Sequence, residues 1–343
     1  MKKHLIAAAV AAAVVAPAAM AQNVTVYGIL DTGVQYFDDG TDSYVRSVDN
    51  ALATSRLGFR GSEDLGGGLK AEFQLEARLN PSAGNTKQTA AATSTLSARN
   101  SSNYKATETQ QLFGRESWVG LSGGFGAIRL GTTDVTDANN IDSKVSYSGD
   151  LALSAAEFDG DLINTMRYTT PNLNGFQIQL GMSNSNAENK TGQVSSIYAQ
   201  YEAGPLGIYA GYSTLKASTT QTDKDSKIGV KYDFGMFAAG VSYYSRSNEG
   251  VADYKRTVAN VAVPLGNGVT LHGVYKVYDT SGTSNGPTTD VTTGDTDTAI
   301  LAVTKALSKR TTVYAAYTDV DNGGGAGASK DTSATTIGIR HSF

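Results

Sequence analysis

The sequence contains no cysteine, so disulfide bonds, thiol catalysis and cysteine-ligated metal sites are excluded. It also lacks long apolar segments: after residue 21, no run approaches the roughly 20 residues that a membrane-spanning helix needs. Basic residues are fewer than acidic ones, 28 against 32, which argues against a general nucleic-acid-binding protein. Proline is scarce (6 residues) and glycine abundant (38), a composition that fits either a repetitive β protein or a partly disordered chain.

The first 21 residues predict a secretory signal peptide. Basic side chains at positions 2–4 are followed by an apolar stretch at 5–15, and Ala19-Met20-Ala21 is typical of a cleavage site. Pro17 and the shortness of the apolar stretch argue against a transmembrane helix. We therefore expect two regions, a cleaved peptide at 1–21 and a mature domain at 22–343. Loss of Lys2 and Lys3 leaves 26 basic against 32 acidic residues, a net charge of −6.

Alternation of apolar and polar residues identifies strands along the mature chain. In LKAEFQLEAR (69–78), apolar residues occupy every odd position and polar residues every even one, whereas a helix would repeat them at three- and four-residue spacing. Sixteen such segments have about the length of a tilted transmembrane strand, roughly 9–11 residues. They are 24–36, 55–63, 68–78, 112–121, 125–132, 163–170, 175–183, 194–203, 206–214, 225–233, 236–246, 254–264, 268–278, 296–307, 310–319 and 333–343.

The connections between these segments alternate strictly between seven short turns and eight longer polar stretches. This asymmetry predicts an all-β fold, a 16-stranded antiparallel transmembrane β-barrel with short periplasmic turns and long outer loops. A soluble β-sandwich or fibre is the alternative, because alternation alone does not say whether the apolar face meets a core or lipid. Charge on the polar face and aromatic residues near the short turns favour a barrel whose apolar face meets lipid. Those aromatic residues are Trp118, Phe176, Tyr201, Tyr232, Phe237 and Phe343.

Several stretches resemble the general porins of the β-proteobacterial and neisserial type, which are more distantly related to enterobacterial porins. The stretches are VTVYGILDTGV, SRLGFRGSEDLGGGLKAEFQLE, GRESWVGLSGGFGAIRLG, NTMRYTTPNLNGFQIQLG and TTIGIRHSF. The resemblance implies an outer-membrane homotrimer, passive diffusion of ions and small hydrophilic solutes, and a third long loop (133–162, called loop 3) folded into the pore. It also implies that Phe343 is read by the barrel-assembly machinery, besides lying in the lipid-facing aromatic girdle. Two departures concern the pore: Thr132 follows Gly131 where the family has arginine, and AEFDG (156–160) differs from the family's PEFGG loop tip.

The predicted strand phase directs five arginines into the lumen, where they would form a basic wall at a constriction. These are Arg56, Arg60, Arg115, Arg129 and Arg167. Loop 3 carries seven acids against Lys144, and we expect Glu157, Asp159 and Asp161 at the constriction. Because strand arginines are fixed while several loop acids would bond to the wall, we predict a weak anion preference.

Other function classes find less support in the sequence. Hydrolysis needs a base beside a nucleophile, and neither histidine of the mature chain, His272 or His341, is placed with a serine and an acid. A substrate-specific channel or a surface adhesin remains an alternative, since the Ser/Thr-rich stretches 79–111 and 279–295 could contact partners. No cofactor, metal-ligand cluster or nucleotide motif is found; GGGL (66–69) and SGGFG (122–126) open no helix and are turns.

Overall fold

The computed structural model describes residues 24–86, 112–152, 162–186, 191–216, 222–247, 253–281, 296–322 and 330–343. Within these ranges, no helix combines the length and apolar character needed to cross a membrane. The strands are β1 (Thr25–Asp38), β2 (Ser43–Asp49), β3 (Arg56–Gly66), β4 (Leu69–Asn80), β5 (Asn85–Thr86), β6 (Glu116–Gly123), β7 (Gly126–Thr133), β8 (Leu162–Thr169), β9 (Phe176–Asn186), β10 (Thr191–Ala203), β11 (Leu206–Lys216), β12 (Thr222–Asp233), β13 (Ala238–Ser247), β14 (Asp253–Gly266), β15 (Val269–Ser281), β16 (Thr296–Ala306), β17 (Thr311–Asp321) and β18 (Thr332–Ser342).

These strands form one closed antiparallel barrel. β2 and β3 share a single wall position, because β1 pairs with β2 along its second half and with β3 along its first half. The two-residue β5 pairs only with the last two residues of β4 and occupies no wall position. Subtracting these two from the eighteen strands leaves the sixteen wall positions that the sequence predicted. β18 closes the ring by pairing with β1, from Ile29 opposite Ser342 to Asp38 opposite Ser333.

Except on β6, the two faces of the wall follow the predicted phase. On β1, Val26, Leu30 and Val34 are exposed on the outside, while Asp31 between them is fully buried on the inside. The same alternation of covered inner residues and exposed outer residues runs through β11 to β14. Because side chains alternate between the two faces of a strand, this phase decides which of them point into the lumen.

Phe343 extends the closing seam and lies on the outer face, as predicted. Its backbone N–H and C=O exchange 3.1 Å hydrogen bonds with Gly28. A Cβ atom at Gly28 would overlap the Phe343 ring, so glycine lets the ring lie against the wall. Near another short turn, the Phe234 ring packs 4.7 Å from that of Tyr232 and 4.6 Å from that of Phe237, part of the predicted girdle.

Two sequence-based expectations are wrong. Trp118 faces the lumen and is buried, because β6 exposes Val119 and Leu121 on its outer face, which puts the even-numbered residues inside. The connection 37–54, expected as a polar outer loop, contains β2 and then an inward segment, residues 50–55. Asp31 fixes this segment by accepting hydrogen bonds from the N–H groups of Leu52 (2.8 Å) and Ala53 (2.6 Å).

Candidate functional site

The described part of loop 3, residues 134–152, lies inside the barrel against the wall, as the resemblance implied. It contains a 3-10 turn (Asp137–Asn140), the short helix α1 (Ile141–Val145) and a second 3-10 turn (Gly149–Ala152). Its apolar side chains are buried in two clusters with residues of β8, β10 and β11. From loop 3 these clusters contain Val135, Ala138, Ile141 and Val145, and from the wall Leu162, Val194, Tyr198, Tyr209 and Leu215.

Inward-facing glycines form the surface on which loop 3 rests. A Cβ atom on Gly211 would lie 2.5 Å from Ala138 Cβ, and one on Gly229 would lie 2.6 Å from Val145 Cγ1. Cβ atoms on Gly181 and Gly240 would overlap loop carbonyl oxygens. We call these four residues of β9, β11, β12 and β13 the glycine track. Its missing side chains let the loop backbone approach the wall and leave the rest of the lumen open.

The first polar anchor of loop 3 is Asp137. Its carboxylate pairs with Arg167 at 2.7 Å and Lys144 at 2.8 Å, and Gln179 donates to it at 3.1 Å. Gln179 also accepts the Asp137 N–H at 2.7 Å. Burial alone would raise the Asp137 pKa, but Arg167 and Lys144 outweigh it and hold the pKa well below its ordinary value. The charge of Arg167 is therefore compensated by the loop.

The second anchor is Asp142, which sits deeper against the wall. Ser242 Oγ donates to its carboxylate at 2.5 Å, Arg256 Nη2 bonds the other oxygen, and Lys227 Nζ lies 3.7 Å away. Burial again opposes ionisation, and Lys227 with Arg256 lowers the pKa of Asp142 below its usual value. Next to it, Asn260 donates to the Val145 carbonyl at 3.3 Å. Loop 3 thus turns its described anchoring acids toward its own wall.

The arc of wall formed by β3 to β7 carries the predicted arginines. Arg56 lies across from Arg78 in the β3–β4 register, and Arg60 Cζ sits 5.0 Å from the centroid of the Tyr27 ring. Arg129 Cζ lies 4.2 Å from the Trp118 ring centroid, so this misassigned tryptophan supports a lumen cation.

Arg115 precedes β6 instead of lying within it. Its Nε donates to Glu76 at 2.5 Å, and the Tyr27 hydroxyl donates to the other Glu76 oxygen at 2.7 Å. The structure therefore brings Arg56, Arg60, Arg115 and Arg129 to one arc, while Arg167 on the neighbouring β8 belongs to the Asp137 anchor. The predicted acids Glu157, Asp159 and Asp161 lie outside the described residues.

The sequence-based prediction omitted inward basic residues on the β3–β7 arc and on β12 to β15. Arg78 occupies an inward position of a strand whose phase was already known, so the alternation could have identified it. The same signal marks inward cations on β12 to β15. The pattern could not predict that acids of loop 3 pair with cations of this wall. The missed residues are Arg78, Lys227, Arg246, Arg256 and Lys276.

Residues 149–151 of loop 3 meet the inward segment 50–55 in an apolar cluster inside the lumen. Leu52 and Leu151 belong to one cluster with inward apolar residues of β14 to β17. A Cβ atom on Gly149 would lie 2.7 Å from the Leu52 carbonyl oxygen, which shows how closely the two segments approach. The wall members of the cluster are Val258, Val274, Ile300, Ala302, Tyr314 and Ala316. Among the described residues, no group of three or more His, Cys, Asp or Glu side chains could hold a metal ion.

A closed antiparallel barrel whose lumen is narrowed by an internal loop defines a transmembrane channel. The sequence model of the Gram-negative porins matches residues 7–325, and the chain belongs to that family. It is 30% identical to outer membrane porin protein 32 of Delftia acidovorans and 28% identical to a major outer membrane protein P.IB of Neisseria meningitidis serogroup B. Both alignments cover all of either chain. The anion-selective porin from Comamonas acidovorans superposes with a TM-score of 0.74 at 25% identity, covering 94% of this chain and 99% of that one. The protein is thus a porin of the Gram-negative outer membrane.

Proposed function

We propose that the chain forms a water-filled pore through which ions and small hydrophilic solutes diffuse, with a weak preference for anions. The observation that carries the preference is that two acids of loop 3, Asp137 and Asp142, are paired with wall cations. The β3–β7 arc carries five inward arginines against three glutamates. These are Arg56, Arg60, Arg78, Arg115 and Arg129 against Glu72, Glu76 and Glu116. The similar Comamonas protein is described as anion-selective, which supports the same sign here.

The arginines would act as fixed charges beside the solute path. Guanidinium groups stay protonated in any surroundings. The rings of Tyr27 and Trp118 lie 5.0 Å and 4.2 Å from Arg60 and Arg129, which restricts the positions these side chains can take. We propose that Glu157, Asp159 and Asp161, near the loop tip, complete the constriction from the other side.

Replacing Arg60 and Arg115 by serine is expected to shift the zero-current potential toward cation selectivity. The change removes two positive charges and leaves Glu76 without its ion-pair partner. The measurement is planar-bilayer recording under a salt gradient. The shift should be clear near 0.1 M salt and small near 1 M, because the Debye length falls from about 10 Å to about 3 Å. Neutralising Glu157, Asp159 and Asp161 should shift the potential the opposite way.

Lys309→Ser provides the matched control, since Lys309 lies exposed at a short turn. It loses a positive charge outside the lumen and should leave the potential unchanged. If the double serine variant behaves like this control at 0.1 M salt, the arginines do not border the narrowest part of the pore and the proposed preference is wrong.

We further propose that the protein is not an enzyme. His272 Nε2 lies 3.0 Å from Thr304 Oγ1 on the inner face, and His341 Nδ1 lies 2.9 Å from Thr311 Oγ1. Each imidazole therefore contacts a β-branched threonine hydroxyl, and the two lie on different strands and faces. A substrate-specific channel remains the second candidate, and it would show a saturable current where a general pore stays ohmic.

For partners we propose self-association as a homotrimer in outer-membrane lipid, with Phe343 recognised by the barrel-assembly machinery. Unheated protein should migrate in SDS gels as a species of three chains that heating converts to one. Deleting Phe343 removes its seam bonds to Gly28 and should reduce this species in the outer membrane while export continues. A wild-type monomer by light scattering would contradict the trimer, and an undiminished yield after the deletion would contradict the role of Phe343.

A further inference from the structure

An arginine that takes no part in the constriction lies near the outer mouth of the pore. Arg46 of β2 is the cross-strand neighbour of Gln35 of β1. Gln35 is on the inner face, because its amide donates to Thr336 Oγ1 at 3.0 Å and Thr336 is a buried residue of β18. Gln35 also lies farther out along β1 than Asp31, which holds the inward segment 50–55. A solute arriving from outside therefore passes Arg46 before it reaches that segment.

Two aromatic rings and an amide hold the Arg46 guanidinium in place. Phe37 and Tyr44 are opposite each other on β1 and β2, with ring centroids 5.6 Å apart. Arg46 Cζ lies 4.2 Å from the Phe37 centroid and 5.8 Å from the Tyr44 centroid. Arg46 Nε donates to Gln35 Oε1 at 2.8 Å. These contacts orient a side chain that is otherwise exposed. We call Gln35, Phe37, Tyr44 and Arg46 the mouth platform.

The Nη groups of Arg46 point to what the platform can bind. A guanidinium has five N–H donors, and Gln35 takes the one on Nε. In the part of the chain that the structure describes, neither Nη group has a hydrogen bond or an ion pair. Together they form a planar fork whose geometry matches the two oxygens of a carboxylate.

The strands beside the platform bring no charge to it. On the inner face, the neighbours of Gln35 and Phe37 on β18, and the next residues on β17, are all uncharged. They are Thr336, Ala334, Ala316 and Thr318. The charge of Arg46 is therefore not compensated from this side, whereas Arg115 and Arg167 each pair with a carboxylate.

We propose that the mouth platform is an entry site of low affinity for small organic monocarboxylates with an apolar body, such as butyrate. The carboxylate oxygens accept from the two Nη groups of Arg46, and the alkyl chain lies against the exposed ring of Tyr44. Chloride has neither two oxygens nor an apolar part, so it gains only from the charge. A phosphate dianion would keep one charge uncompensated on a single guanidinium. The inference rests on the proposed diffusion function and adds a class of solute to it.

The test is block of the chloride current by butyrate in planar bilayers at about 0.1 M potassium chloride, with butyrate added to one side at a time. Butyrate should reduce the current in a saturable way, more strongly from the long-loop side. Arg46→Gln should remove this difference between the sides. Arg46→Lys keeps the charge but loses the fork, so butyrate should bind roughly 1.5- to 5-fold more weakly while chloride conductance is unchanged.

Two further variants separate the platform from the general field of the pore. Phe37→Leu changes no charge but removes the ring beneath Arg46, and it should weaken butyrate binding without changing chloride conductance. Lys255→Gln is the matched control, since Lys255 is an exposed, outward-facing cation near the outer end of β14. It loses one positive charge and should keep the wild-type butyrate affinity and the difference between the sides.

The proposal is overturned if butyrate blocks equally from both sides of the wild type, or if the difference survives in Arg46→Gln. It is also overturned if Arg46→Lys binds butyrate as tightly as the wild type, or if Lys255→Gln weakens binding as much as Arg46→Gln. If Arg46→Gln does not assemble, unchanged affinity in Arg46→Lys and Phe37→Leu has the same meaning. The chloride current without butyrate tests the pore itself, so failure of the entry site and failure of the diffusion function remain distinguishable.

Discussion

Replacing Asp142 by asparagine is expected to loosen loop 3 from the barrel wall. Asparagine keeps the shape and a hydrogen bond to Ser242, but Arg256 and Lys227 then face each other beneath the loop without their shared carboxylate. The side chains of Asp142, Arg256 and Lys227 are at most 5% exposed. Removing one partner of such a buried pair costs about 3–5 kcal/mol. We expect noisier single-channel currents, faster proteolysis of loop 3 and a lower unfolding temperature.

Asp319→Asn supplies the matched control, because Asp319 is exposed on β17. The substitution removes the same charge without touching the loop. It should leave the noise and the proteolysis rate unchanged. Currents from Asp142→Asn as quiet as those of this control would show that the loop is held by its apolar contacts alone.

The same anchors predict the response of the loop to acid. Asp137 and Asp142 both have pKa values lowered in the folded protein, so their stabilising effect is complete above the ordinary aspartate pKa of about 3.9. It is lost only as the pH falls through the lower, folded-state values. Channel noise should therefore stay constant from neutral pH to about pH 5 and rise only under strongly acidic conditions.

Replacing Gly229 by valine is expected to narrow the pore. Even its Cβ atom would lie 2.6 Å from Val145 Cγ1 and 2.7 Å from Ile141 Cγ2. The strand is fixed by its neighbours on both sides, so α1 has to move toward the open lumen. Overpacking of this kind costs about 1–3 kcal/mol, and the displaced helix reduces the cross-section available to ions. Single-channel conductance should fall while the sign of selectivity is retained.

Gly124→Val is the matched control for this change. Gly124 lies in a short turn with no atom within 4 Å of a Cβ built on it, so valine there meets nothing. Its conductance should equal that of the wild type. A Gly229→Val pore that conducts as well as this control would mean that loop 3 yields without entering the solute path.

The barrel could be predicted from the sequence because its wall repeats one local rule. In a strand with lipid on one side and water on the other, apolar and polar residues alternate, and each turn leads directly to the neighbouring strand. Phase then decides that Arg56, Arg60, Arg129 and Arg167 point inward without any three-dimensional information. Trp118 is an exception: its position close to a short turn indicates the girdle, but its even position in β6 places it inside.

The interior could not be predicted in the same way, because its contacts join residues far apart in sequence. Asp142 meets Arg256 across more than a hundred residues, and Leu52 and Leu151 join one apolar cluster. No local pattern relates the members of such pairs. In the sequence, nothing distinguishes the glycines of the glycine track from other glycines, which weaken a strand. Only the position of α1 against Gly211 and Gly229 explains why a side chain there would be harmful.

The apolar cluster formed by the inward segment 50–55, loop 3 and β14 to β17 makes the water path eccentric. That side of the lumen is filled with leucine, valine and isoleucine side chains, which exclude water and solutes alike. The path for solutes is therefore displaced toward the β3–β7 arc. A size limit calculated from the number of wall strands would be too generous, since part of the enclosed area is protein. Sieving in this pore depends on how firmly Leu52 and Leu151 hold together, so Leu52→Ala should let larger neutral sugars through before it changes the charge preference.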